Sequence, residues 1–205
     1  MMQDLNMHIP SQEEFCKGYE AYNQKERRGF VYFKALETVA GNWGDPELMA
    51  RGVQRLIRSW NRFYANFSLS DLTYFMVGNI EELSAYRDKQ ILDLSEADND
   101  TISQLFPKLL RALKRERDGA LSPVSVAKAF GLLAPNFLPI WDSTIAYRYD
   151  CMYFSDMAES PYLRFCHKMK QLAEMVQHYV PHPDDRALLK RIDEYNYAKY
   201  TMGWV

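Results

Sequence analysis

The sequence has no apolar run near the roughly 20 residues that a membrane span needs, so neither a transmembrane segment nor a membrane partner is expected. Its N-terminal stretch lacks the basic-then-apolar layout of a secretory signal, and the expected setting is the cytoplasm. Cysteine is scarce: Cys16, Cys151 and Cys166 are odd in number and widely spaced. That excludes a disulfide scaffold and fits free thiols in a reducing compartment. No stretch alternates apolar and polar residues over strand length, which argues against a sheet. Repeats, low-complexity tracts and linkers are absent too.

Several chemistries lack their signatures. There is no glycine-rich phosphate loop, no G-x-S-x-G elbow and no H-E-x-x-H helix, and no cofactor is expected. A metal site drawn from His178, His182, Cys166 and His167 is set aside. Pro181 interrupts the helix that would align the two histidines, and no Cys-x-x-Cys is present.

What remains is a globular composition in 205 residues, 47% hydrophobic and 25% charged, enough for one domain spanning residues 1–205. The net charge of −2 speaks against a nucleic-acid binder, but its distribution does not. Residues 108–128 hold Lys108, Arg111, Lys114, Arg115, Arg117 and Lys128 against Glu116 and Asp118 alone. Residues 81–100 hold seven acids and two bases.

Apolar periodicity of helical type runs through the chain and predicts an all-α fold of roughly eight to ten helices. Ser11 to Glu14 reads as a capping box, opening a helix that stops near Gly29. A second helix, 30–40, ends at Gly41. Asp45-Pro46 supplies an N-cap and a first helical residue for a helix reaching Phe67. There Val53, Leu56, Ile57, Trp60, Phe63, Tyr64 and Phe67 form a stripe. Beside it, Arg51, Arg55, Arg58 and Arg62 align on one face. They suit a phosphate backbone, and suit equally a solvated face paired with acids elsewhere. Ser70 or Asp71 caps the next helix, to about Val77, and Gly78 marks a break before a capping box at Asn79–Glu82. Residues 93–100 read as a loop and 101–117 as a helix kinked at Pro107. Ser160-Pro161 opens another helix, 181–185 a loop, and Leu188, Leu189, Ile192 and Tyr195 mark a last one.

Residues 121–146, LSPVSVAKAFGLLAPNFLPIWDSTIA, organise the remainder. Ser122-Pro123 starts a helix that Pro135 ends, and Asp142 caps the next. Leu121, Val124, Lys128, Pro139 and Asp142 stand in the order of an L-P-G-V-G hairpin, a helical lysine and a capping aspartate. In this the segment resembles the helix-hairpin-helix DNA glycosylase superfamily, of the endonuclease III and 8-oxoguanine glycosylase kind. Pro123 and Ser125 occupy the hairpin's two glycine positions, and Lys128 lies one residue later than the family's lysine.

The resemblance implies a compact, two-lobed helical fold, a DNA partner and excision of a damaged or modified base. A modified base of phage DNA, attacked in antiviral defence, is one such substrate class. By the same resemblance Asp142 faces the positive charge developing on the sugar, and Lys128 attacks the sugar carbon if strand cleavage follows. Ser122, Ser125 and Val126 would meet a phosphate, together with Arg111, Lys114 and Arg115 and the arginine stripe. Trp141, Trp60, Asn61 and Tyr147 are candidates for the base pocket. The competing readings are a helical DNA- or protein-binding module without catalysis, and an unrelated fold in which Asp142 is only a cap and Lys128 a surface residue. Oligomeric state is not legible.

Overall fold

The computed structural model describes residues 7–179 and 187–205. His182 and the 181–185 segment lie outside the described residues. Nine α-helices occupy the described chain: α1 Gln12–Lys25, α2 Gly29–Gly41, α3 Pro46–Trp60, α4 Leu69–Arg87, α5 Asn99–Ala112, α6 Pro123–Leu133, α7 Ser143–Arg148, α8 Glu159–Val176 and α9 Leu188–Asn196. A π-helical turn, Tyr197–Thr201, continues from α9. No strand forms among the described residues, only isolated bridges between Phe67 and Arg115 and between Phe154 and Met157. None of the described helices is long and apolar enough to cross a membrane. Cys16, Cys151 and Cys166 are free thiols.

Side-chain caps set several helix starts. Ser11, Asp45, Ser68, Ser122 and Asp142 each accept from a backbone N–H in the first turn they precede. Pro46 and Pro123 follow two of these caps, where a missing N–H costs nothing.

Several boundaries differ from expectation: α4 is capped by Ser68 rather than by Ser70 or Asp71, and α8 opens at Glu159, one residue before Ser160-Pro161. Helix α3 stops at Trp60 instead of continuing to Phe67, because Asn61 turns away and donates its amide to the hydroxyls of Ser122 (2.9 Å) and Ser125 (2.8 Å). Phe63 is consequently exposed and lies over the Arg115 guanidinium. Helix α4 runs on through Gly78, kinked at Asn79, whose side chain accepts from Lys108 and donates to the Phe75 carbonyl. The acidic 93–100 stretch is not a plain loop: it follows a 3-10 turn at Ile91–Asp93, holds a second at Glu96–Asp98 and enters α5 at Asn99. Helix α5 ends at Ala112 rather than Arg117. Arg115 folds back on Asp118 through two short bonds (2.8 and 2.6 Å), and Gly119 takes the positive φ that the turn requires.

The core is one continuous apolar cluster. Helix α3 packs on α2, α4 and α6, while α1 packs against α9 and the π-turn, so both ends of the described chain meet. Helix α6 is buried on nearly every side. Past it, the 134–142 segment crosses over the core, and Phe137, Leu138 and Trp141 are its anchors.

Gly131 permits the closest crossing. A Cβ there would stand 2.3 Å from Ile140 Cγ1, and the Gly131 carbonyl accepts from the Tyr32 hydroxyl at 3.0 Å. Gly131→Ala should cost about 1–3 kcal/mol through overpacking. Chemical denaturation checks this; an unchanged midpoint would mean that Ile140 yields without penalty.

Candidate functional site

The site begins where α3 ends. The last carbonyls of a helix have no partner within it and carry its negative partial charge. Here the Ser59 carbonyl accepts from Arg28 (3.4 Å) and the Trp60 carbonyl from the Lys128 amine (2.7 Å). The helix end thus holds two cations, one exposed and one buried. Around them lies a cavity of about 60 Å³. Lys128 reaches it from α6, Asp142 from the start of α7, Asp193 from α9, Tyr197 from the π-turn, and Glu26 with Arg28 from the α1–α2 link.

Asp142 is half-buried and uses both carboxylate oxygens. Oδ1 accepts from the Ile145 N–H (2.8 Å), which makes it the cap of α7. Oδ2 accepts from the Thr201 hydroxyl at 2.6 Å, which ties it to the π-turn. Lys128 keeps donor capacity beyond its bond to Trp60, since an ammonium carries three N–H groups. Burial pushes its amine down to about 8; the Asp142 and Asp193 carboxylates oppose that fall and Arg28 adds to it. For Glu26, burial raises the carboxyl, but hydrogen bonds from Arg28 outweigh it and hold the group below its ordinary range. The Tyr197 hydroxyl donates to Glu26 Oε2 at 3.1 Å.

Behind the cavity stands a buried charge cluster. Lys190, 4% exposed, bonds Asp193 at 2.5 Å and lies 3.7 Å from Glu194, which is 0% exposed. Its amine also faces the rings of Tyr22, Tyr32 and Trp60 at 4.8, 4.8 and 5.3 Å. Burial opposes the charge on Lys190, yet Asp193, Tyr22 and Glu194 hold its amine above the usual lysine range.

Of the residues singled out from the sequence, Lys128, Asp142, Trp60 and Trp141 line the one cavity. Trp141 is otherwise committed to packing: its indole donates to the Pro123 carbonyl and its ring stacks on Tyr153. Asn61 is not among the lining residues and serves the α3–α6 junction. Tyr147 is exposed and does not line the cavity either.

The residues considered for DNA contact divide. Arg51, Arg55, Arg58, Arg62, Arg111 and Lys114 are exposed, with Arg51 paired to Glu47. Ser122, Ser125 and Val126 are buried; the two serine hydroxyls accept from Asn61, and the amides of Ser125 and Val126 donate to the Ser122 carbonyl. Arg115 is buried and engaged by Asp118 and the Phe63 carbonyl.

Among the described residues no group of three or more His, Cys, Asp or Glu side chains is arranged to hold a metal. His167 bonds Asn99 instead.

Glu26, Arg28, Asp193, Tyr197 and Thr201 escaped the sequence reading. Charges spaced three and four apart on α9 look like a solvated face; only the packing of α9 against α1 and α8 shows otherwise.

Lys190→Met keeps the apolar stem but removes the ammonium that Asp193 bonds at 2.5 Å. It should cost about 3–5 kcal/mol, as removal of one partner from a buried ion pair does. Equilibrium urea unfolding measures this, and a loss under about 1 kcal/mol would show that the cluster is solvated in practice. The chain matches no protein-family model, no curated protein and no solved structure.

Proposed function

We propose that the chain is a DNA glycosylase acting on a damaged or modified base, with Asp142 and Lys128 as its reacting groups. One observation carries the reading: a carboxylate and a desolvated amine from two successive helices line the same small cavity. In that chemistry the N-glycosidic bond breaks with its electron pair leaving on the base, which takes up a proton. The Asp142 carboxylate faces the positive charge left on C1′ of the sugar. Either water or the neutral Lys128 amine then adds to C1′. If the amine adds, opening of the sugar ring leaves an iminium that borohydride reduces to a stable adduct.

The cavity holds fewer water-sized groups than a nucleobase has heavy atoms. Admission of a flipped base therefore requires its wall to open, and the hydrogen bond from Tyr197 to Glu26 is one that spans that wall.

A second reading, a helical DNA- or protein-binding module without catalysis, draws on a different observation. The residues that would meet a phosphate, Ser122, Ser125 and Val126, are buried and internally satisfied.

On a panel of modified oligonucleotides, Asp142→Asn should lower base release by roughly a hundredfold or more while the asparagine still caps α7. Salt-dependent DNA binding without release of any base by the wild type would favour the second reading.

Lys128→Gln should abolish borohydride trapping, and trapping in the wild type should depend on pH. The attacking amine must be neutral, so the adduct yield should rise with pH, tenfold per unit at first, and level off above about 8. A profile flat between pH 6 and 9 would remove Lys128 from the role of nucleophile.

A further inference from the structure

The kinked helix α4 and the second half of α5 wall an open groove of about 580 Å³, far larger than the cavity at Lys128. One wall presents Tyr74, 81% exposed and the most exposed large apolar side chain among the described residues. Among the described residues no other ring and no cation packs on it. Gly78, one turn on, leaves open space beside that ring. The facing wall carries Lys108 and Arg111 from α5 and Lys114 from the turn just beyond it. Lys108 is spent on Asn79, where it holds the kink. Arg111 and Lys114 are exposed, and neither is ion-paired among the described residues. Asp71 is the one carboxylate among the lining residues.

Two free cations alone would suit any polyanion. An unstacked ring in the same groove is more selective, because it offers a flat apolar face to a flat partner. Nucleic acid joins the two requirements: phosphates for the cations and a base for the ring. Paired bases are already stacked on their neighbours, so the ring favours an unpaired stretch. An acidic peptide would use Arg111 and Lys114 and leave Tyr74 idle.

We propose that the α4–α5 groove binds a single-stranded nucleic-acid segment, with a base stacked on Tyr74 and the backbone on Arg111 and Lys114. This rests on the DNA-binding part of the reading above and not on base excision.

The test is fluorescence anisotropy of the whole chain with a labelled oligothymidine, and with a matched duplex as reference. Tyr74→Ala should weaken single-strand binding roughly five- to a hundredfold, as loss of one base–aromatic stack does. Tyr74→Phe should restore it. The double variant Arg111→Gln/Lys114→Gln should flatten the slope of log affinity against log salt by about 1.4. All three side chains are exposed, so circular dichroism should show every variant folded.

If the wild type binds but Tyr74→Ala binds equally well, or the double variant keeps the full salt slope, the groove is wrong while DNA binding stands. Competition by polyglutamate that matches the oligonucleotide and ignores Tyr74→Ala would overturn the proposal in favour of an acidic protein partner. Failure of the wild type to bind any oligonucleotide would overturn both the groove and the DNA reading.

Discussion

The end of α3 at Trp60 is the constraint from which the rest of the site follows. A helix that continued to Phe67 would have bonded its own carbonyls. By stopping, it leaves the Ser59 and Trp60 carbonyls open, and Arg28 and Lys128 fill them. Burying an ammonium costs several kcal/mol unless it is compensated. Here the compensation is a carbonyl at 2.7 Å, the negative end of a helix, and the nearby Asp142 and Asp193 carboxylates. The amine's downward displacement indicates that this compensation is incomplete. The same chain break sends Asn61 to the start of α6 and frees Phe63 to cover Arg115. One boundary therefore fixes the position of α6, the base of α5 and the cations of the cavity together.

The second organising feature is charge placed where apolar groups would cost less. Lys190, Asp193 and Glu194 are buried on one short helix beneath a set of aromatic rings. Replacing such a group by well-packed apolar residues is often neutral or stabilising, so stability alone does not explain its presence. Its neighbour is the cavity, where Asp193 is shared between Lys190 and the surroundings of Lys128. Perturbed ionisable groups concentrate at functional sites. The cluster fits that pattern better than it fits a structural one.

Much of this was legible where the signal is local. The Asp45-Pro46 and Ser122-Pro123 starts, the cap at Asp142 and the apolar faces all follow from residues a few positions apart, and the helical class follows from them. The juxtaposition of Lys128 with Asp142 was also within reach, because the two residues lie fourteen apart on successive helices joined by the 134–142 segment. Boundaries decided by distant partners were not. Nothing near Phe67 announces that Asn61 will leave its helix for Ser122 and Ser125. Nothing in KRIDEYN separates a buried charge cluster from a solvated one, since both show the same three- and four-residue spacing. Arg115 reads as one more base in a basic run until Asp118 and the Phe63 carbonyl claim it. The burial of Ser122 and Ser125 is of the same kind, created by an amide some sixty residues upstream.

The π-turn after α9 reaches back across the whole chain. Lys199 bonds Glu14 near one end of α1, Tyr197 bonds Glu26 just beyond the other, and Thr201 bonds Asp142. Two of these contacts, with Glu26 and Asp142, involve residues lining the cavity. The site is therefore assembled from residues far apart along the chain: Asp142 is oriented by a hydroxyl 59 residues downstream and Glu26 by one 171 residues downstream. A cleavage or frameshift upstream of residue 197 would leave the amine and the carboxylate in place in the sequence while removing both groups that orient the wall.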